Sequence, residues 1–153
     1  MKKALGLIEF KSIAKGMEAT DEMVTSSNVE LILSAPICPG KYVTIVSGDV
    51  AAVKNSIKVG KDIGSIFTVD DFVIANVHPQ IFPALTATTD VNKITSLGII
   101  ETISAVSSIM AGDIAVKAAN VELLEIRIAR GLGGKGFVIL TGEISSVKSA
   151  VKN

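Results

Sequence analysis

The chain has 153 residues, 48% hydrophobic and 4% aromatic, with a mean hydropathy of +0.53, and its fifteen basic side chains balance fifteen acidic ones. That balance leaves no net field to attract nucleic acid or an anionic membrane, and the single cysteine excludes an intrachain disulfide and agrees with a reducing compartment. The length suits one ordinary domain or two small ones, and this much apolar character with so few aromatics implies that part of it lies in interfaces.

Residues 1–9 carry Lys2 and Lys3 but reach Glu9 before a secretory apolar core can form, so no signal peptide is expected and the cytoplasm is the default location. Residues 4–10 form a short β-rich run. Residues 12–27 follow with Ile13, Met17, Thr20, Met23 and Val24 near helical spacing, and Ser12 is placed to accept an unpaired N–H at the helix start. Strands are predicted over 28–37 and 41–47, a second helix over 50–59 after the Gly48-Asp49 turn, and a fourth strand over 68–77. The order β-α-β-β-α-β is the ferredoxin-like, split βαβ arrangement of an α+β fold. The uncharged stretch 72–89 approaches membrane-spanning length, but Asn76, His78, Pro79, Gln80 and Pro83 exclude a transmembrane helix. Pro79 and Pro83 bound a short helix or irregular segment, and 86–92 reads as a polar linker.

From there the chain repeats itself. LGLIE at Leu5 returns as LGIIE at Leu97, an offset of 92 that also pairs Ser12 with Ser104, Asp21 with Asp113, Val24 with Val116, and Asn28-Val29-Glu30-Leu31 with Asn120-Val121-Glu122-Leu123. After a two-residue slip, Gly40-Lys41 aligns with Gly134-Lys135 and Gly48-Asp49-Val50 with Gly142-Glu143-Ile144. A fixed-offset self-match outranks other fold indications. It predicts two modules, 1–90 and 91–153, the second with strands over 96–102, 121–129 and 136–141 and helices over 105–119 and 145–152. In this register Asn153 corresponds to Val59, so the second module reads as truncated, without a fourth strand. The edge at 97–100 is then expected either to stay unpaired, an association hazard, or to be covered by another segment.

The opening ALGLIE, the helix ends SSNVEL and KAANVEL, and the strand-turn-helix YVTIVSGDVAAV resemble the bacterial microcompartment shell proteins in their tandem-domain form. The resemblance covers nearly the whole chain. It implies a non-enzymatic homotrimer that mimics a hexagon, tiles edge to edge with other shell proteins in the bacterial cytoplasm, and surrounds a central pore lined by the loop between the second and third strands. It also implies a tile edge at Lys117 and Asn120. The counterpart of Lys117 in the first copy is Thr25, so the two kinds of edge differ.

At the implied pore loop the copies diverge most. The first reads Pro36-Ile37-Cys38-Pro39-Gly40 and the second Gly131-Leu132-Gly133-Gly134. A lone cysteine is most often a small buried hydrophobe, and no C-x-x-C pair is present to make a metal site within one chain. The ICPGK segment is similar to the loop of the iron-sulfur-bearing tandem shell proteins of propanediol-utilisation microcompartments. That similarity implies a [4Fe–4S] cluster, one per trimer, held through Cys38 of each chain, for electron transfer or cluster delivery, with an encapsulated redox enzyme as a further partner. The alternatives are a tile with an open metabolite pore and no cluster, and a trimeric ferredoxin-like sensor of small molecules. Lys41 and Lys135 read as solvent-exposed lysines at strand starts. For enzymatic chemistry the chain offers little: His78, the sole histidine, suits a cap or turn role, and Asp70 and Asp71 point to opposite faces of a strand.

Overall fold

The computed structural model describes residues 4–91, 93–128 and 131–152. The elements run β1 (Ala4–Phe10), α1 (Ile13–Thr25), β2 (Val29–Ile37), β3 (Lys41–Gly48), α2 (Val50–Gly64), a 3-10 turn (Ser65–Phe67), β4 (Thr68–Ile74) and α3 (Ile81–Thr86), then β5 (Ser96–Thr102), α4 (Ala105–Ala118), β6 (Val121–Ile128), β7 (Gly136–Gly142) and α5 (Ile144–Lys152). The chain divides into two compact units, Met1–Val77 with Ala129–Gly134, and His78–Ile128 with Lys135–Asn153.

In the first unit an antiparallel sheet has the order β2-β3-β1-β4, the split βαβ arrangement with the fourth strand beside the first. Successive β1 side chains alternate between faces: Ala4, Ile8 and Phe10 join Ala19, Met23, Tyr42, Val46, Val53 and Ile57 in one core beneath α1 and α2. Ser12 caps α1 by accepting from Lys15 N at 3.3 Å, and Ser104 caps α4 by accepting from Ser107 N at 3.3 Å, so the duplicated serines do the same work twice. Gly6 lets α2 lie directly on β1, because a Cβ there would sit 2.7 Å from Ile57 Cγ1; at Gly98 it would sit 2.7 Å from Leu140 Cδ1 and 2.8 Å from Val147 Cγ1.

The repeat reaches below the level of elements. β2 is bulged between Leu31 and Leu33 against β3, and β6 between Leu123 and Glu125 against β7, one extra residue at corresponding places. At one helix–strand contact the copies exchange sizes instead. A Cβ on Gly16 of α1 would lie 2.7 Å from Tyr42 Cβ of β3, whereas in the second unit Ser108 of α4 stands over Gly136 of β7, whose Cβ would meet Ser108 Oγ at 2.6 Å. Small against large becomes intermediate against small, and the helix keeps its seat.

In the second unit the sheet is β5-β7-β6, and among the described residues β5 pairs only with β7, where β1 pairs with both β3 and β4. Leu97 and Ile99 are 57% and 62% exposed, although the matching Leu5 and Leu7 are fully buried. Compact packing ends the first continuous stretch of the first unit at Val77. The short helix α3 follows Pro79 but contains Pro83 instead of ending there, with Ile81 and Ala84 buried, and Gln80 Oε1 accepts from Leu123 N at 2.8 Å beside the β6 bulge. No helix among the described residues is long and apolar enough to cross a membrane.

Candidate functional site

The β2–β3 hairpin closes through a three-residue turn, Cys38-Pro39-Gly40, with Ile37 opposite Lys41 on its last rung. Ile37 is buried and anchors the turn, whereas Pro36, Cys38, Pro39 and Gly40 are exposed. Gly40 has φ +71° with nothing within 4 Å of a Cβ position, so the backbone conformation, not crowding, calls for glycine. One rung below, Tyr42 OH and Ser34 Oγ share a hydrogen bond of 2.7 Å. The Cys38–Pro39 peptide is cis. Cys38 carries a free, exposed thiol, which overturns the buried role that a lone cysteine usually takes.

The ground beneath this turn is charged. Glu9, fully buried on β1, pairs with Lys41, and Lys41 Nζ also donates to the carbonyl of Gly134 at 3.2 Å. A buried carboxylate is tolerated only when paired and hydrogen-bonded, so the expectation that Lys41 is a solvated lysine is corrected: its side chain is a structural partner inside the first unit. Gly134, with φ +90°, approaches so closely that a Cβ would lie 3.0 Å from both Lys41 Cε and Pro39 Cδ. Gly131 and Gly133 also have positive φ, +73° and +60°, in open space, and Leu132 between them is partly buried. The glycine-rich segment thus lies against the base of the Cys38 turn, held by backbone that a side chain would displace. Lys135 is exposed, as expected, and pairs with Glu101 at 2.7 Å.

Among the described residues no three His, Cys, Asp or Glu side chains gather into a metal-binding group. Cys38 is the only thiolate source in the sequence, so any site for a soft metal or cluster has to be assembled from several chains.

The BMC domain matches residues 4–77 and 96–153, the two copies of the repeat. The chain belongs to the BMC-domain family of microcompartment shell proteins. It is 43% identical over 99% of its length to the bacterial microcompartment shell protein PduT of Citrobacter freundii, of which it spans 82%, and 37% identical over 63% of its length to the shell protein PduA of the same organism, spanning 96% of that protein. Among solved structures it is similar to a microcompartment protein from Desulfitobacterium hafniense DCB, with a TM-score of 0.86 at 47% identity, covering 99% of this chain and 84% of that one. A fused permuted hexameric shell protein from the RMM microcompartment shares the fold, with a TM-score of 0.72 at 21% identity, covering 98% of this chain and 78% of that one.

The residues assigned to a tile edge sit elsewhere on the BMC fold. Lys117, in the last turn of α4, pairs with Asp113, and Asn120 is exposed between α4 and β6. Thr25, at the matching place in the first module, is also exposed and bonds its own helix, donating to Asp21 O at 3.0 Å. Asp113, nearly buried, also accepts from His78 N at 2.8 Å, while His78 Nδ1 accepts from Gln80 N at 3.4 Å, which gives His78 the turn role expected of it. Sequence reasoning missed three partners: Glu9 for Lys41, Gly134 for Lys41 and Asp113 for His78. The signal available was the repetition of Glu9 as Glu101 and of Lys41 as Lys135, a charge pair kept in register in both BMC copies.

Proposed function

We propose that this microcompartment shell protein closes into a homotrimer, a pseudohexameric tile of six modules, whose central pore is lined by the turns carrying Cys38. The family places the chain in the microcompartment shell, within the bacterial cytoplasm. Its role is structural rather than enzymatic, and its edges, with Lys117 and Asn120 among the contacts, meet other shell proteins. A head-to-tail contact that closes on itself makes such a ring, and a chain holding two modules needs three copies to supply six.

We further propose that the three Cys38 thiolates hold a [4Fe–4S] cluster at the pore, one per trimer, with the fourth iron served by another ligand. The observation that carries this reading is the exposed free thiol on a short turn anchored by buried Ile37, at a place where the second module has glycines and no ligand. The donor set suits the group, because clusters of this kind take cysteine thiolates. Pro39 and the Lys41 anchor restrict the turn, so the thiol is presented with little conformational freedom to lose. When bound, the cluster supplies one-electron transfer, and an encapsulated redox enzyme is the natural partner. The chain's own contribution is to fix three thiolates and to exclude the second-module loops from ligation.

Anaerobic purification with iron and acid-labile sulfide analysis and electron paramagnetic resonance, on wild type and Cys38→Ser, tests this. Loss of iron, sulfide and signal in a variant that still sediments as a trimer is the expected result. Equal iron in the variant removes Cys38 from ligation. Absence of iron in the wild type leaves an open pore for small metabolites.

A further inference from the structure

The two modules contain the same ion pair in two environments. Glu9 and Lys41 are 0% and 15% exposed at their side chains, whereas Glu101 and Lys135 are 66% and 53% exposed. Each glutamate lies on the first strand of its module, and each lysine follows the glycine that ends its loop, Lys41 as the first residue of β3 and Lys135 just before β7. That β5 has no second neighbour among the described residues does not account for the exposure of Lys135, which adjoins the start of β7, the central strand of its sheet, paired on both sides. What Lys41 has and Lys135 does not is a covering loop. Lys41 Nζ donates to the carbonyl of Gly134, the glycine that precedes Lys135. Among the described residues Lys135 Nζ donates only to Glu101.

We propose that Lys135 and Glu101 are the receiving half of the contact between chains, with Lys135 Nζ donating to the carbonyl of Gly40 of the partner subunit. The repeat register supplies the match: Gly40 corresponds to Gly134 as Lys41 corresponds to Lys135. Within one chain the second-module loop satisfies the first-module lysine. Between chains the first-module loop satisfies the second-module lysine, and the alternation continues around the ring as one head-to-tail contact repeated. An ion pair as exposed as Glu101–Lys135 adds little to folding, which leaves its repetition in register without a purpose in the isolated chain. In the assembly it becomes what Glu9–Lys41 already is, a paired charge beneath a loop. Gly40 lies two residues from Cys38, so the same contact makes a neighbouring chain the support of each cysteine turn. This inference rests on the ring reading above.

The test combines assembly and accessibility. Sedimentation velocity over a concentration series compares wild type with Lys135→Ala and with Lys58→Ala, which removes another exposed ion pair, Lys58–Asp62. Lys135→Ala should raise the dissociation concentration by about tenfold or more, the size of one lost charge-assisted hydrogen bond. Its circular dichroism spectrum should match that of wild type, and Lys58→Ala should change neither property. In wild type, acetylation of Lys135 relative to Lys58, read by mass spectrometry, should be suppressed at assembling concentrations and restored on dilution. A wild type that stays a single chain at every concentration overturns the ring itself. A ring in which Lys135 is labelled as readily as in the free chain, or in which Lys135→Ala dissociates at the wild-type concentration, overturns this contact alone.

Discussion

Replacing Gly16 by serine should damage the first unit, although serine stands at the corresponding position 108 of the second. The new Cβ would lie 2.7 Å from both Cβ and Cδ1 of Tyr42 and 2.9 Å from its Cγ. Carbon atoms rest at about 3.5–4.0 Å, so α1 and β3 have to part by about 1 Å. Turning the tyrosine ring gives no relief at Cβ, which the β3 backbone carries, and Tyr42 OH is tied to Ser34 Oγ at 2.7 Å. Overpacking of this kind costs about 1–3 kcal/mol, offset by about 0.3–0.5 kcal/mol from exchanging a helical glycine for serine. The net loss of about 0.5–2.7 kcal/mol corresponds to a fall in Tm of about 1–11 °C for a chain of this size. Thermal unfolding followed by circular dichroism at one fixed protein concentration measures it.

The second arm of that experiment is Tyr42→Gly, which opens a cavity and costs about 3–5 kcal/mol by itself. Combined with Gly16→Ser it rebuilds the arrangement of Ser108 over Gly136, so the double variant should be no less stable than Tyr42→Gly alone. The propensity gain is common to both backgrounds and cancels, so the coupling energy of the cycle is the overpacking term, about 1–3 kcal/mol. Additivity of the two substitutions within about 0.5 kcal/mol would refute the argument that the copies traded volume across this contact.

Lys41→Met leaves Glu9 buried without its lysine and should destabilise the protein by about 3 kcal/mol, while Lys58→Ala, at an exposed pair, should change stability by less than about 1 kcal/mol; urea unfolding of the two variants separates them. Asp113→Ala leaves the N–H of His78 without its acceptor and should cost about 1–3 kcal/mol, with faster hydrogen exchange at the His78 amide. Asp113→Asn, which keeps an acceptor oxygen, should restore slow exchange.

Much of the fold was legible because its signals are local. Ser12 and Ser104 announced helix starts three residues before the N–H groups they accept, and the Gly-Asp and Gly-Glu turns marked the second helix of each copy. The 92-residue register carried the strand order with it, since a duplicated module brings its pairing along. Helix α2 runs to Gly64, beyond the expected end at 59, because Gly60 and Gly64 fit close against Met23 and Phe10 and packing outweighs their low helix propensity. The candidate site was legible in part. The position of Cys38 in a turn could be read from Pro36, Pro39 and Gly40, but its exposure could not, since a lone cysteine is chemically content in either place.

By itself the sequence determined that one βαββ-based module occurs twice, where its strands and helices run, and that the copies differ at one loop. Those properties follow from side-chain periodicity and from comparing the chain with itself. Only the tertiary structure decided that Lys41 belongs to Glu9, 32 residues away, and to Gly134, 93 residues away, while the identical pair at Lys135 stays in solvent. The reason is that a charged side chain has no intrinsic burial. Its environment is set by whichever loop the fold lays over it, and two copies of one motif in one chain stand on opposite sides of that choice.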